Sequence, residues 1–309
     1  MIMHKGDQSL AIRALKNAAP YIRMYKGKTF VVKAGGGVFA DTESTRVLIE
    51  QIAILHYFGV RVVMVHGGGP QTTEVADALG VPTRMVEGRR VTDQKSVDVT
   101  AMVLNGLINT RILGICRELN IDAVGISGVD AGLVLAHKRP PVKVLSGEVV
   151  DYGFVGDIDL VDTTVLRKLL DNGLMPVVSP LSADDKGVLL NINADTVAAA
   201  IGATLGAEKL VLCTGAPGIL GDVNDPGSLI SYTDLAGLKR MREEGRIVDG
   251  MLPKAKAIEE AIRGGVRRVH VVSYKAPEGI LGEVFTNEGT GTLIVADVNA
   301  LTPAEQAGG

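Results

Sequence analysis

Short runs rich in Val, Ile and Leu recur along the chain, separated by longer stretches in which apolar residues return at every third or fourth position. The runs TFVVK (29–33), VRVVMVH (60–66), AVGIS (123–127), MPVVSPL (175–181), KLVLCT (209–214), RRVHVVS (267–273) and GTLIV (291–295) read as strands. Most are apolar nearly throughout, the mark of strands buried on both faces. Helical spacing covers TRVLIEQIAILHYFG (45–59), ended by Gly59, and PQTTEVADALG (70–80). Strands alternating with helices predict an α/β fold, a mostly parallel sheet covered on both sides. Before the first strand, residues 8–25 set Leu10, Ala14, Leu15, Ala18, Ala19 and Ile22 at helical spacing, with Pro20 expected to kink or split that helix. Residues 133–162 alternate apolar and polar and read as a β-hairpin excursion, and Ala304–Gly309 as a frayed tail.

Composition narrows the class. With 309 residues, 46% of them hydrophobic, the chain can bury a large core as one big domain or two lobes. A net charge of −3 and the lack of basic clusters beyond pairs such as Arg267 and Arg268 call for neither nucleic acid nor an anionic membrane. No apolar run is expected to reach membrane-spanning length. Cys116 and Cys213 each lie in apolar sequence and read as buried thiols of a reducing compartment, so a cytoplasmic protein is expected. Tryptophan is absent and aromatics are 4%, which disfavours a stacking surface for bases or sugars.

The candidate chemistry lies in two loops that follow strands, KAGGG (33–37) and HGGGPQ (66–71). Beyond the carboxyl ends of parallel strands, glycines let backbone N–H groups approach an anion. Pro70 suits a first helical turn, so the second loop is expected to open into a helix N-terminus, which favours negative charge. Neither loop carries the GK[ST] of a Walker loop or the spacing of a dinucleotide fingerprint, which disfavours a Rossmann oxidoreductase. A phosphate or other oxyanion is the expected ligand. His66 reads as a strand-end histidine with a structural hydrogen bond, not as a base.

The blocks VVKAGGG, VHGGGPQ, EGRRVTD, LLNINADTVAAAI, DGMLPKA and FTNEGTGTLIV stand in the order and spacing of the amino acid kinase family, which the chain resembles from about residue 20 to 296. The resemblance implies an open three-layer αβα sandwich of two lobes. Residues 26–205 would bind the acyl substrate and 206–309 would bind ATP, behind an N-terminal oligomerisation helix at 1–25. The implied reaction moves the γ-phosphoryl group of ATP, with Mg2+, onto the side-chain carboxylate of N-acetylglutamate in arginine biosynthesis. By the same resemblance Lys33 and Lys254 are catalytic and Asp195 holds both in position. Arg90 and Asn191 grip the α-carboxylate of the substrate. Gly67 and Gly68 serve the acceptor carboxylate and Gly35 and Gly36 the phosphates. No residue is assigned as a metal ligand.

Three positions depart from the family pattern. Gly215 in LCTGAPGIL stands where an Asp is usual, Val129 in SGVD where a Lys is usual, and Glu278 in KAPEGIL near a usual His. The N-terminal extension and the NEGTGT block imply a homo-oligomer, a dimer or a hexamer built of dimers, with a possible arginine effector. Two other readings stay open: a sibling carboxylate kinase of the aminoadipate type, and a non-catalytic arginine-sensing domain, which would be expected to lose its catalytic lysines.

Overall fold

Period-two alternation along the central strands decides which helix each residue meets. In the computed structural model, which describes residues 5–87, 89–144, 146–225, 227–247, 250–286 and 289–300, the strands in chain order are β1 (Thr29–Ala34), β2 (Arg61–His66), β3 (Arg84–Val86), β4 (Arg89–Val91), β5 (Ala123–Ser127), β6 (Val134–Lys138), β7 (Val142–Lys143), β8 (Val149–Val150), β9 (Gly156–Val161), β10 (Met175–Ser179), β11 (Leu181–Ala183), β12 (Leu189–Asn191), β13 (Lys209–Thr214), β14 (Tyr232–Asp234), β15 (Arg268–Ser273) and β16 (Thr292–Val295). The helices are α1 (Lys5–Tyr25), α2 (Thr42–Tyr57), α3 (Gly69–Ala78), α4 (Gln94–Ala101), α5 (Asn109–Glu118), α6 (Thr164–Asp171), α7 (Ala194–Leu205), α8 (Leu235–Glu243), α9 (Met251–Arg263) and α10 (Gly279–Phe285). The expected tail at 304–309 lies outside the described residues.

Among the described residues, eight strands form one sheet in the order β14-β16-β15-β13-β1-β2-β10-β5. It is parallel except that β16 runs antiparallel to β15. The α/β architecture with a mostly parallel sheet is therefore as the sequence led us to expect. Val31, Val63 and Val65 face one side, with Val197 and Ile201 of α7 and Ile258 of α9. Phe30, Val32, Val62 and Met64 face the other, with Ile49 and Ile52 of α2, Ile112 of α5 and Ile280 of α10. Lys33 shares the side of Val31, so it points toward α7 and α9. In register, Ala34 lies opposite both His66 and Cys213, so the loops after β1, β2 and β13 leave the sheet side by side.

The excursion at 133–162 is more than a hairpin. Antiparallel β6 and β9 join β11 and β12 in a second sheet of order β12-β11-β6-β9. The run MPVVSPL divides between the two sheets at Pro180, which has no N–H to continue a ladder. The ribbon β3–β4 and the helical segment 94–118 were not expected from the sequence. That segment runs from α4 through a π-helical stretch, Met102–Ile108, into α5. By length and composition it could cross a membrane, contrary to expectation, but Val97, Val103, Leu104, Ile108 and Ile112 are buried under the sheet, which makes it a core helix. Pro20 does not split α1, which is one helix from Lys5 to Tyr25. Pro20 and Lys16 are exposed, so water can satisfy the Lys16 carbonyl that the proline leaves without a partner. Among the described residues it is the end of α1 that docks: Tyr25 is buried against Phe30, and Tyr21 meets Phe285 of α10 edge-on.

Candidate active site

Two helix starts meet the end of β1. Asn193 caps α7 by accepting from the Asp195 and Thr196 N–H groups, which sets Asp195 in the first turn, where the helix dipole favours a carboxylate. Lys254 lies in the first turn of α9. Lys33 Nζ is 2.8 Å from one Asp195 oxygen, and Lys254 Nζ donates to both at 2.9 and 3.0 Å. All three side chains are at least nine-tenths buried. Two ammonium groups share one carboxylate, so the cluster keeps one uncompensated positive charge. Burial alone would raise the Asp195 carboxyl, yet the charges of Lys33 and Lys254 hold it below the usual range. The Lys254 ammonium is lowered by burial and by Lys33, which outweigh its share of Asp195. A buried surplus of positive charge is a place for an anion.

The cluster opens into a cleft of about 740 Å3, also lined by Gly36, Gly68, Arg90 and Asn191. The structure thus brings together the strand, loop and helix residues that the sequence singled out, with Lys254 just behind Asp195. It separates the glycines by task. The Gly67 N–H is taken by the Ala34 carbonyl at 2.8 Å, and the Gly35 N–H by Cys213 at 3.4 Å. The N–H groups of Gly36 and Gly68 have no acceptor among the described residues, so these two remain for a ligand. Their lack of a side chain has another cause. A Cβ on Gly68 would stand 2.3 Å from Ile108 Cδ1 and 2.7 Å from Leu104 Cδ2, and one on Gly36 2.7 Å from Pro70 Cδ. The loops need glycine because they press on each other and on the π-helical stretch, and not only because a ligand comes close.

His66 is fully buried, and burial pulls its imidazole down to about 4, so it is neutral at pH 7. Its Nδ1–H donates to the Gly67 carbonyl at 3.2 Å, and its Nε2 accepts from Asn109 Nδ2 at 3.1 Å. Both ring nitrogens are therefore engaged in fixing the loop. Arg90 is half-buried and held in place: it donates to Thr83 Oγ1 at 2.9 Å, the Gly69 carbonyl at 3.1 Å and Thr73 Oγ1 at 2.6 Å. The Asn191 side chain makes no hydrogen bond among the described residues. Sequence reasoning missed Asn109, Thr73, Thr83 and the Arg139–Asp157 pair on the cleft wall, whose Nη2–Oδ1 distance is 2.6 Å. None sits in a motif; the folded chain brings Arg139 and Asp157 to the cleft, and sets Asn109 against His66 and Thr73 and Thr83 against Arg90.

The fold and site define a phosphotransferase: glycine loops at the ends of parallel strands beside a positively charged lysine cluster. The chain belongs to the amino acid kinase family, whose model matches residues 28–273. It is 47% identical to the acetylglutamate kinase of Myxococcus xanthus, covering 96% of this chain and 97% of that one. It is 42% identical to the acetylglutamate kinase of Symbiobacterium thermophilum, covering 91% and 96%. Among solved structures, the N-acetylglutamate synthase of Neisseria gonorrhoeae, complexed with coenzyme A and N-acetyl-glutamate, matches with a TM-score of 0.78 at 27% identity. That match covers 93% of this chain and 64% of the synthase chain, so this chain spans just under two-thirds of the synthase. A carbamate kinase from Giardia lamblia shares the fold, with a TM-score of 0.63 at 18% identity, covering 88% of this chain and 99% of that one.

Proposed function

We propose that the protein transfers the γ-phosphoryl group of ATP to the side-chain carboxylate of N-acetyl-L-glutamate, forming an acyl phosphate for arginine biosynthesis. The observation that carries this reading is the buried Lys33–Asp195–Lys254 cluster with its surplus positive charge at the foot of the glycine loops. The nucleophile needs no base, because a glutamate-type carboxyl titrates near about 4.3 and is ionised at pH 7. What remains is to align two anions and to stabilise charge spreading over the phosphoryl oxygens. In this reading Lys33 and Lys254 are the catalytic cations and Asp195 positions both. The Gly36 and Gly68 N–H groups donate to the phosphoryl and acceptor oxygens, and Arg90 and Asn191 hold the α-carboxylate. Residues 26–205 serve the acyl substrate and 206–309 the nucleotide. Magnesium accompanies ATP in such reactions. Among the described residues no three His, Cys, Asp or Glu side chains converge, and Asp195 is engaged by two lysines, so no protein cage fits the ion and no step is assigned to it.

The test is ADP release and hydroxamate formation over N-acetylglutamate, glutamate, aspartate and aminoadipate. N-acetylglutamate should be turned over fastest. A faster aminoadipate reaction would replace this reading with the sibling kinase, and no turnover of any acid would leave the arginine-sensing domain. The intact lysine cluster weighs against that last reading.

Arg90→Lys should raise KM for N-acetylglutamate more than it raises KM for ATP, because an ammonium cannot keep the contacts to Thr83, Thr73 and the Gly69 carbonyl and also present a donor to a carboxylate as the planar guanidinium does. Equal rises in both would put Arg90 outside the acyl pocket.

We also propose that α1 joins dimers into a hexamer. On one face it carries Ile12 and Leu15, each more than half accessible, with half-buried Ile22; Met24, also exposed, lies on the opposite side, and the side chain of Leu10 lies outside the described residues. An exposed apolar helix face suits a two-fold contact with its own copy. Deleting residues 1–24 should convert a hexamer into a dimer by light scattering, and a full-length protein already dimeric would end the idea. An arginine effector belongs to the same proposal: the edge-on Tyr21–Phe285 contact links α1 to the first residue of the FTNEGTGTLIV block. Buried, unpaired Cys116 and Cys213 support a reducing, cytoplasmic location.

A further inference from the structure

Three loops leave adjacent parallel strands at one level: Gly35–Gly37 after β1, Gly215 after β13 and Tyr274 after β15. Tyr274 ties them together. Its backbone N–H donates to the Thr214 carbonyl at 2.9 Å, which extends the pairing of β15 with β13 by one residue. Its ring packs on the core cluster that contains Val38 and Cys213, so its position is anchored from below. A Cβ built on Gly37 would stand 2.8 Å from the Tyr274 hydroxyl, and one built on Gly215 3.6 Å from it. Both glycines are exposed and neither has a positive φ, so neither owes its place to backbone strain. The hydroxyl therefore reaches an open rim between two loops that have no side chains there. It makes no hydrogen bond among the described residues. The unpaired Gly36 N–H lies one residue away, and Lys33 Nζ is 3.7 Å from where a Gly35 Cβ would be, so the same loop connects this hydroxyl to the lysine cluster.

A fixed, unused O–H donor at the carboxyl ends of parallel strands, between two glycine loops of which one follows directly on Lys33, is chemistry for an anionic oxygen. We propose that Tyr274 is a nucleotide-binding residue whose hydroxyl donates to a phosphate oxygen of the bound nucleotide's polyphosphate. This rests on the reading of the site as an ATP-dependent kinase. Gly37 and Gly215 leave the room that lets the hydroxyl and the phosphate chain meet. The ring supplies stiffness, and the oxygen supplies the contact.

The test is calorimetric titration of the full-length protein with MgADP, adenosine and N-acetylglutamate, for wild type, Tyr274→Phe and Tyr274→Ala. A hydrogen bond to a charged group contributes enough that Tyr274→Phe should weaken MgADP binding about tenfold or more. Adenosine and N-acetylglutamate should bind as to wild type, and the melting temperature should not move. Equal MgADP affinity for wild type and Tyr274→Phe overturns the proposal, even if Tyr274→Ala is weak, since the ring alone would then matter. An equal loss for adenosine also overturns it, by moving the contact to the nucleoside. Wild-type protein that binds no MgADP overturns the kinase reading itself, a result distinct from either. A second pair gives a geometric check. Gly37→Ala should weaken MgADP binding by pushing against the hydroxyl, and Tyr274→Phe in that background should add little, because the oxygen has already been displaced. If Gly37→Ala binds MgADP normally, the hydroxyl is not held against this loop and the proposal falls.

Discussion

Lys33→Ala and Lys254→Ala will each lower kcat by about 10²–10³-fold while the protein stays folded, the size of effect seen when one preorganised donor to a developing charge is removed. Each lysine is buried against Asp195, and together they leave one positive charge, which in the proposed reaction would meet the phosphoryl group. Removing either leaves a neutral pair, and the surplus that draws the phosphate is lost. The two losses should not add, because the double variant removes a unit that either single variant already breaks. The pH profile offers a second readout. Lys254 must be protonated to act, and burial beside Lys33 lowers its pKa. The rate should therefore fall as pH rises, at lower pH than an exposed lysine near about 10.4 would impose. Steady-state kinetics of ADP release with saturating N-acetylglutamate measures all three variants. Near-normal turnover in both single variants would remove the lysines from the chemistry.

Asp195→Asn should both destabilise and inactivate. The amide is nearly isosteric but leaves two buried ammonium groups without a counter-charge, and breaking a buried ion pair costs about 3–5 kcal/mol. The sign of its pH dependence follows from the shift. Burial acts to raise the Asp195 carboxyl, but the two lysine charges hold it below its ordinary value. A carboxyl depressed in the folded state stabilises fully above its unfolded pKa, near about 3.9, and that contribution fades as pH falls through the folded value. Wild type should thus exceed Asp195→Asn by the full margin at neutral pH, and the gap should close in acid. Urea unfolding at pH 7 and below pH 4 checks this. A gap that is absent at pH 7, or that persists unchanged in acid, would show that the ion pairs do not set the stability of this site.

How much was legible depended on whether the cause was local. The strands at 29–33, 60–66 and 209–214 follow from apolar runs, and the glycine loops announce themselves by composition. Lys33 could be read as a strand-end lysine before a glycine loop, but its direction could not. That came from the sheet, where its alternation with Val31 turns it toward α7 and α9. Lys254 could be placed in the DGMLPKA block, but its burial could not be read there, because it depends on packing α9 beside α7. The Pro180 break and the second sheet were hidden in one apolar run, because the run does not record which neighbour each half will pair with.

By itself the sequence determined the alternation of strand and helix, the order of the six motif blocks and the presence of two lysines and an acid in them, because hydrophobic period and turn chemistry act over a few residues. The tertiary structure alone decided that Asp195 meets both lysines across 59 residues to Lys254, that the Gly67 N–H is occupied while the Gly36 and Gly68 N–H groups are not, and that Gly68 must be glycine because Ile108 and Leu104 press on it. Those contacts join segments far apart in the chain, and strand register and helix packing, which no local period encodes, choose their partners.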